Sequence, residues 1–384
     1  MANRLTVLSV IGTRPEAIKM APVIKELDNY PGRIRSLVCV TGQHRQMLDQ
    51  VLSLFHIQPD HDLNLMQPDQ ALSQLTAGLF AGLDPVVEQT KPDWILAEGD
   101  TTTVLVAALV AFYHLVPFGH VEAGLRTGDK RRPFPEEVNR RLADVIADAY
   151  FAPTEHARQS LLREGCPAQN VHVTGNTVID ALLDVAAREY DWASGPLANL
   201  PSPQRIVLIT AHRRESFGEP FKELCHAIRH LATTFAADGV HFVYPVHPNP
   251  NVRRPVQVIL SGLPNVSLLD PLDYLSLVHL MKRSTLVLTD SGGIQEEAPS
   301  LGVPVLVMRD TTERPEGIDA GVARLVGTKC DGIVQETARL LRDAAAHRAM
   351  ARGVNPYGDG KAARRIVSAL LALSGIPAEP LESV

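Results

Sequence analysis

The sequence predicts an α/β protein made of two Rossmann-like halves, and three observations support this prediction. Short apolar runs such as Leu5–Ile11 are unbroken, which is typical of parallel strands buried on both faces. Each run is followed by a glycine-containing or polar turn and then by a stretch with helical spacing of apolar residues. The same scheme restarts at Arg205–Thr210, after loop-like segments between Ala193 and Pro203. We therefore expect two parallel sheets that face a cleft.

Length and composition narrow the classes of function. The chain has 384 residues, 21% of them charged, with a net charge of −6, so it fits two domains and does not suggest a nucleic-acid partner. The longest apolar run, Val104–Tyr113, is too short to span a membrane. Cys39, Cys166, Cys225 and Cys330 form no CxxC pair, which favours reduced, buried thiols in a cytoplasmic protein. The 14 histidines show no HExxH spacing, so no protein-held metal is expected.

In the first half, strands and helices alternate. The predicted strands are Leu5–Ile11, Leu37–Val40, Trp94–Ala97, Pro117–Val121, Tyr150–Ala152 and Val171–Thr174. The predicted helices are one that follows Gly12-Thr13-Arg14-Pro15, then Met47–Phe55, Ala71–Gln89, Val104–His114, Val138–Ala149 and Glu155–Glu164. Thr13 is a plausible N-cap and Pro15 fits a first turn, whereas Pro22 is expected to kink the first helix.

The second half repeats the pattern. The predicted strands are Ile206–Thr210, His241–Val246, Val266–Leu269, Leu286–Thr289 and Val303–Met308. The predicted helices are Pro220–Phe235, Ile294–Leu301, Asp331–Ala344 and a terminal helix, Lys361–Ser374.

Carboxylates follow two predicted strands of the first half. Asp100 comes after Trp94–Ala97, and Glu122 comes directly after the next strand. If these strands are neighbours, the two side chains approach one another, and paired carboxylates are what proton-transfer chemistry requires. Asp100 could equally be only a helix N-cap. Glu136 and Glu137 follow a loop stiffened by prolines and are either first-turn acids favoured by the helix dipole or catalytic groups.

The second half contains a pattern suited to phosphate binding. Asp290-Ser291-Gly292-Gly293 forms a tight turn between a strand and a helix, whose N-terminus offers free N–H groups. Glu296 and Glu297 follow one turn later, where they could accept hydrogen bonds from sugar hydroxyls, and Arg309 and Arg314 could meet an anion. A structural turn with surface charges explains the pattern equally well.

Other polar residues are weaker candidates. Arg14 and Lys19 lie in the first turns after Leu5–Ile11, where solvated surface charge is the ordinary alternative. This turn lacks GxGxxG, so a bound dinucleotide is not indicated. His212 follows a strand of the second half beside two arginines, which makes it a candidate for an anion site.

Several motifs, taken in order, resemble the signatures of the non-hydrolysing UDP-N-acetylglucosamine 2-epimerases. They are Gly12-Thr13-Arg14-Pro15-Glu16-Ala17-Ile18-Lys19, Gly99-Asp100-Thr101-Thr102-Thr103, His120-Val121-Glu122-Ala123-Gly124-Leu125-Arg126-Thr127, Pro135-Glu136-Glu137, His212-Arg213-Arg214-Glu215, Asp290-Ser291-Gly292-Gly293-Ile294-Gln295-Glu296-Glu297 and Asp310-Thr311-Thr312-Glu313-Arg314-Pro315-Glu316. The resemblance covers nearly the whole chain. It implies the GT-B fold, with residues 1–174 and 366–384 in a first domain, residues 175–365 in a second, and the terminal helix crossing back to the first.

The resemblance also implies a reaction, the C2 epimerisation of UDP-GlcNAc to UDP-ManNAc through 2-acetamidoglucal. It implies no cofactor, a homodimer, and a supply of ManNAc for cell-envelope polysaccharide. The implied catalytic residues are Asp100, Glu122, Glu136 and His212, with the base and the acid among the carboxylates left open. The implied substrate-binding residues are Arg14, Lys19, Ser291, Gly292, Gly293, Glu297 and Arg314, and those of an activating UDP-GlcNAc site are Gln43, Gln46, Arg213 and His247.

Three other functions fit parts of the pattern. A GT-B glycosyltransferase could share the glycine-turn UDP site but would not need carboxylates at Asp100, Glu122 and Glu136 together. A hydrolysing 2-epimerase would release free ManNAc. A non-catalytic UDP-sugar sensor would bind without exchange of the C2 proton.

Overall fold

The computed structural model describes residues 4–42, 45–65, 70–201 and 205–378, except for the side chains of residues 45–47. The chain divides into two compact units. Unit 1 comprises Met1–Ala181 and Tyr357–Val384, and unit 2 comprises Leu182–Pro356.

Unit 1 alternates strands and helices as the sequence predicts. Its strands are β1 (Leu5–Ile11), β2 (Ile34–Val40), β3 (His61–Asp62), β4 (Trp94–Glu98), β5 (Phe118–Val121), β6 (Ala149–Ala152) and β7 (Val171–Val173). Its helices are α1 (Arg14–Asp28), α2 (Arg45–Phe55), α3 (Leu72–Thr90), α4 (Thr102–Tyr113), α5 (Glu136–Ile146), α6 (Glu155–Arg163), the start of α7 (Thr177–Ala186), and a C-terminal helix described below.

The sheet of unit 1 is parallel, with the strand order β3-β2-β1-β4-β5-β6-β7 in the described part of the chain. The expectation that the strands before Asp100 and Glu122 are neighbours is confirmed, because Ala97 pairs with His120 and Glu98 with Val121. Both strands are fully buried, as is typical of parallel strands covered on both faces. The polar residues after them therefore emerge at one edge of the sheet.

Unit 2 contains the second parallel sheet, in the order β10-β9-β8-β11-β12-β13. Its strands are β8 (Arg205–Thr210), β9 (Val240–Pro245), β10 (Val266–Leu269), β11 (Leu286–Thr289), β12 (Val305–Val307) and β13 (Ala323–Leu325). Its helices, after the end of α7, are α8 (Glu219–Thr234), α9 (Pro250–Leu260), α10 (Tyr274–Arg283), α11 (Gly292–Ser300), α12 (Pro315–Asp319), α13 (Cys330–Arg342) and α14 (Ala344–Ala351). The predicted class of two Rossmann-like α/β domains is confirmed.

The last helix, α15 (Ala362–Leu373), belongs to unit 1, where it packs against α1. Asp180 on α7 accepts hydrogen bonds from the N–H groups of Ala362 and Ala363 at 3.2 and 2.8 Å, which satisfies free donors at the helix start. Trp94 Nε1 donates to Ser374 Oγ at the other end, 3.0 Å away. The terminal helix therefore returns to the first domain, as the resemblance implies.

Some elements differ from the prediction. Helices α7, α9 and α10 were not predicted; in α9 Pro255 lies inside the helix and removes a backbone donor without ending it. Helix α5 begins at Glu136 rather than Val138 and ends at Ile146, because Ala149 already belongs to β6. Glu136 and Glu137 therefore are first-turn acids. In the described part of the chain, no helix is both long and apolar enough to cross a membrane.

The four cysteines are free, but only two are buried as predicted. Cys39 and Cys225 are buried, and burial raises the pKa of each thiol to about 12. Cys166 and Cys330 are partly exposed, so the prediction of four buried thiols is wrong for these two.

Candidate active site

A lysine bridges two carboxylates at the carboxyl edge of the unit 1 sheet. Lys19 Nζ, on α1, lies 2.9 Å from Glu98 Oε1 at the end of β4 and 2.6 Å from Glu122 Oε2 just past β5. Asn176 Nδ2 donates a hydrogen bond of 2.7 Å to the same Glu122 oxygen. Lys19 is mostly buried, so the alternative of a solvated surface lysine is excluded.

The two carboxylates of this cluster differ in their surroundings. Burial raises the pKa of Glu98 well above its usual value; Lys19 opposes this effect and Glu122 adds to it. Glu122 has a φ of 64°, in the left-handed region that a residue with a side chain rarely adopts. Such backbone strain is typical of functional positions. The structure thus joins Glu122 to Glu98 through Lys19, whereas the sequence suggested a pairing with Asp100.

Asp100 is held by helix α5. Its carboxylate accepts a charge-assisted hydrogen bond from Arg140 Nη2, and its backbone carbonyl accepts one from Asn139 Nδ2 at 3.0 Å. Asp100 lies just before α4, whose N-cap is Thr101, so Asp100 is not the N-cap that the alternative interpretation required. Its side chain remains 28% exposed and therefore accessible to a ligand.

The two acids at the start of α5 have different environments. Glu137 is fully buried and accepts backbone hydrogen bonds from Thr127 at 3.1 Å and Gly128 at 3.2 Å, so it fixes the loop before the helix. Glu136, the first residue of α5, is only half-buried. Of the two, Glu136 is the better candidate for chemistry.

In unit 2, a buried aspartate organises the histidine that follows β8. Asp290 Oδ2 accepts the N–H groups of His212 and Arg213, both at 2.7 Å, and Oδ1 lies 3.9 Å from His212 Nδ1. Burial raises the pKa of Asp290, while His212 opposes this shift. The imidazole of His212 is exposed and stacks on that of His247, with ring centroids 5.2 Å apart.

The glycine turn of unit 2 lies beside a cluster of arginines. Gly292 and Gly293 open α11 after the N-cap Ser291. A Cβ at Gly292 would lie 3.4 Å from Glu313 Oε1, 3.5 Å from Arg213 Nη2 and 3.8 Å from Arg314 Nη2, so guanidinium groups lie next to the helix N-terminus. Guanidinium groups beside the N–H groups at a helix start are suited to an anion such as a diphosphate.

Glu313 holds the arginines in place. Glu313 Oε1 lies 3.2 Å from Arg213 Nη2, and its Oε2 lies 2.7 Å from Arg309 Nη1. Although burial opposes the shift, Arg314, Arg309 and Arg213 lower the pKa of Glu313 to about 2. Glu215 also pairs with Arg309, at 2.7 Å, so the arginines form an ion-pair network that fixes their guanidinium groups beside the glycine turn.

The two glutamates of α11 are less accessible than the sequence suggested. Glu296 is buried and pairs with Arg314 Nε, so this carboxylate positions the arginine. Glu297 is also buried and accepts a hydrogen bond of 2.7 Å from the Tyr274 hydroxyl. Glu297 lies near Gly293, since a Cβ there would be 3.7 Å from Glu297 Oε2.

Arg14, Gln43 and Gln46 are the other residues predicted for the site. Arg14 is half-buried at the start of α1. Gln43 lies outside the described residues, and the side chain of Gln46 is not described either. In the described part of the chain, no group of three or more histidine, cysteine, aspartate or glutamate residues could hold a metal ion.

Several residues of these clusters were not predicted as site residues, among them Glu98, Asn139, Arg140, Asn176 and Glu313. Arg140 carried a usable signal, because it follows Glu136 by four positions and so shares its helix face. For Asn176 the sequence shows only a polar turn, because its contact with Glu122 exists only in the folded chain.

Comparison with known proteins gives consistent matches over nearly the whole chain. A family model described as UDP-N-acetylglucosamine 2-epimerase matches residues 25–371. The UDP-N-acetylglucosamine 2-epimerase of Escherichia coli K12 is 55% identical over 374 residues, covering 95% of this chain and 98% of the relative.

Solved structures agree with these matches. The UDP-GlcNAc 2-epimerase of Neisseria meningitidis bound to UDP-GlcNAc is 49% identical, with a TM-score of 0.88, over 96% of this chain and 100% of that one. The UDP-GlcNAc 2-epimerase of Methanocaldococcus jannaschii, in complex with UDP-GlcNAc and UDP, is 31% identical, with a TM-score of 0.80, over 96% and 100% of the two chains.

Proposed function

Because the chain belongs to the UDP-N-acetylglucosamine 2-epimerase family, we propose that it interconverts UDP-GlcNAc and UDP-ManNAc by inverting C2 of the sugar. The observation that carries this proposal is the cluster of Lys19, Glu98 and Glu122, with Asp100 following the same sheet edge. Carboxylates in two different environments at one sheet edge suit an exchange of protons with a carbon centre.

The proposed reaction is an elimination followed by an addition. A carboxylate removes the C2 proton, the C1–O bond breaks, its electron pair leaves with UDP, and a C1=C2 double bond forms in 2-acetamidoglucal. UDP then adds back to C1, and a proton is delivered to the opposite face of C2. Atoms and electrons balance without an oxidant or a reductant, so the reaction needs no nicotinamide cofactor.

We assign the proton transfers to Asp100, Glu122 and Glu136, with His212 as a further catalytic group. Which carboxylate acts as base and which as acid remains open in this assignment. Glu122 is held in place, because Lys19 and Asn176 both bind one of its oxygens. Lys19 is therefore assigned to holding Glu98 and Glu122. A role for Lys19 in UDP binding rests on the resemblance alone.

Nucleotide binding is assigned mainly to the second predicted domain, residues 175–365. Ser291, Gly292 and Gly293 would bind the diphosphate through the N-terminus of α11, with Arg314 beside it. Glu297 would accept hydrogen bonds from the ribose. Stabilising the leaving diphosphate is essential, since its negative charge grows as the C1–O bond breaks. Arg14, in the first domain, is assigned to UDP by resemblance.

The test is incubation with UDP-GlcNAc in D2O, followed by proton NMR and by chromatography of the sugars. We expect deuterium at C2 of both UDP-GlcNAc and UDP-ManNAc. Free ManNAc as the main product would indicate a hydrolysing epimerase instead. Intact, unlabelled UDP-GlcNAc that nevertheless binds would indicate a sensor, and sugar transfer to an added acceptor would indicate a glycosyltransferase.

A second proposal concerns activation by UDP-GlcNAc. It rests on the resemblance at Gln43, Gln46, Arg213 and His247. The reverse reaction, started from pure UDP-ManNAc, should then begin slowly and accelerate when UDP-GlcNAc is added. A reverse reaction that is linear from the start would contradict the proposal.

The biological setting is proposed from the resemblance alone. We propose a cytoplasmic homodimer that supplies ManNAc units for cell-envelope polysaccharide. Light scattering at several concentrations tests the dimer. Loss of ManNAc-containing polymer on deletion of the gene, restored by the wild-type chain but not by a Glu122→Gln variant, tests the role.

A further inference from the structure

A buried histidine next to the proposed carboxylates has no role in the reaction proposed above. His120, on β5, has 0% of its surface exposed. Its Nδ1 lies 2.6 Å from Asp144 Oδ1 on α5, and its Nε2 lies 2.7 Å from the backbone carbonyl oxygen of Gly99. Both ring nitrogens therefore have hydrogen-bond partners.

Counting protons at these partners fixes the charge of the ring. A carbonyl oxygen only accepts hydrogen bonds, so Nε2 must carry a proton. Asp144 also accepts a hydrogen bond of 2.7 Å from Arg126 Nη2; burial would raise the pKa of Asp144, but His120 and Arg126 lower it. An ionised carboxylate likewise only accepts, so Nδ1 must carry a proton as well. Protons on both nitrogens make His120 an imidazolium.

The charged groups around His120 support this state. Burial and Arg126 act to lower the pKa of His120, but Asp144 and the Gly99 carbonyl raise it above its ordinary 6.5. Tyr150, its partner in register on β6, stays a neutral phenol, because burial raises its pKa. Phe118 adds only an aromatic ring, with its centroid 6.1 Å from that of His120.

The Gly99 carbonyl belongs to the turn that presents Asp100. Gly99 has a φ of 89°, and its N–H donates to the Val121 carbonyl at 3.0 Å. His120 Nε2 donates to the carbonyl oxygen of Gly99, and Asn139 Nδ2 donates to the carbonyl oxygen of Asp100. Without the hydrogen bond from His120, the Gly99 carbonyl would lose its side-chain donor, and the turn that presents Asp100 would be held less firmly.

We propose that His120 is a positioning residue, a buried imidazolium that ties the turn carrying Asp100 to Asp144 on α5. A neutral ring would keep only one of the two donors and would release either the turn or the aspartate. Since the pKa of His120 is raised, its contribution is complete below pH 6.5 and is lost as the pH rises through the raised pKa. Activity should therefore decline on the alkaline side.

The protonation state can be tested without any activity assay. In protein labelled with 15N in its histidine rings, the His120 signals are assigned by their absence in a His120→Asn variant and followed across pH. We expect protons on both nitrogens at pH 6 and a midpoint above 6.5. An unprotonated Nε2 at pH 6, or a midpoint at or below 6.5, would overturn the proposal.

The positioning role needs matched variants. His120→Phe removes both ring donors and keeps an aromatic ring, and His172→Phe makes the same exchange at another histidine of the same sheet, on β7. For His120→Phe we expect faster amide hydrogen exchange at residues 98–103, loss of the alkaline limb of kcat, and a kcat reduced by about 10²-fold, as for a misplaced reacting group.

His172→Phe should resemble the wild type in all three measurements. This proposal rests on the proposed function only for the kcat measurements, because hydrogen exchange reports the turn whatever the reaction is. Equal exchange in the two variants would overturn the positioning role. Fast exchange in His120→Phe combined with no epimerisation by the wild type would instead refute the proposed function alone.

Discussion

The ammonium nitrogen of Lys19 lies 2.6 Å from Oε2 of Glu122, whose backbone has a φ of 64°. A residue with a side chain in this region costs of order 1–3 kcal/mol, which the surrounding contacts must offset. The lysine bond and the hydrogen bond from Asn176 supply such contacts at one oxygen. The other oxygen of Glu122 is thereby held in a fixed direction, as a proton-transfer group requires.

The first prediction concerns Glu122 itself. Glu122→Gln keeps the size of the side chain but removes its ability to take up a proton, so kcat should fall by about 10²–10⁴-fold. The affinity for UDP should change little, because the nucleotide is assigned to other residues. Rates from NMR of UDP-GlcNAc and UDP-ManNAc and calorimetry with UDP measure the two effects. Glu88→Gln, an exposed residue of the same unit, is the control. A near-normal rate in Glu122→Gln would remove Glu122 from the catalytic set.

The second prediction separates the two carboxylates on Lys19. Burial raises the pKa of Glu98 well above its usual value, which favours the neutral form of this side chain, and Glu98→Gln mimics that form. Glu98→Gln should therefore keep kcat within about tenfold, less than the usual worth of a proton-transfer group. If Glu98→Gln loses as much activity as Glu122→Gln in the same assay, Glu98 takes part in the proton transfers.

The third prediction concerns the arginine cluster of unit 2. Arg314→Met should weaken UDP binding by about 10–100-fold, the usual worth of a charge-assisted hydrogen bond. Binding of uridine, which has no phosphate, should hardly change. Calorimetry with UDP and with uridine measures the two affinities. Arg324→Met is the control, because Arg324 is a half-exposed arginine that pairs with Glu336. Equal losses for UDP and uridine would show that Arg314 does not act on the phosphates.

The sequence predicts the architecture well because its strands are buried on both faces. Leu5–Ile11 was predicted with its exact bounds, since a short, mainly apolar run that ends at a glycine turn is typical of a buried parallel strand. The same reasoning placed Glu122 and Asp100 after neighbouring strands. Helix α10 was missed because its start, Asp273 and Tyr274, follows a proline-containing loop and resembles a continuation of that loop.

The partners of the site residues could not be predicted in the same way. Lys19 and Glu98 are separated by 79 positions, and no periodic pattern reports a contact of that kind. Glu296 looked like a surface acid suited to a sugar hydroxyl, yet it is buried against Arg314. Local patterns identify which elements form, whereas ion pairs depend on how those elements are brought together.

The last prediction concerns pH and the turn after β1. Glu16 Oε2 accepts the N–H groups of Gly12 at 2.5 Å and Thr13 at 2.9 Å. Burial raises the pKa of Glu16 from 4.5 to about 7, although these hydrogen bonds oppose the shift. The folded chain therefore holds a proton on Glu16 that the unfolded chain has released between these pH values.

The free energy of unfolding should consequently fall by about 3 kcal/mol between pH 4.5 and 7 through Glu16 alone, at 1.36 kcal/mol per unit of pKa difference. In Glu16→Gln the amide oxygen can still accept both N–H groups, but nothing titrates, so this part of the decline should disappear. Urea unfolding of both proteins at several pH values measures this contribution of Glu16. It should be present in full below pH 4.5 and absent above about 7, so the wild type should lose stability relative to Glu16→Gln across this range. Parallel pH profiles for the wild type and Glu16→Gln would mean that Glu16 ionises normally in the folded chain.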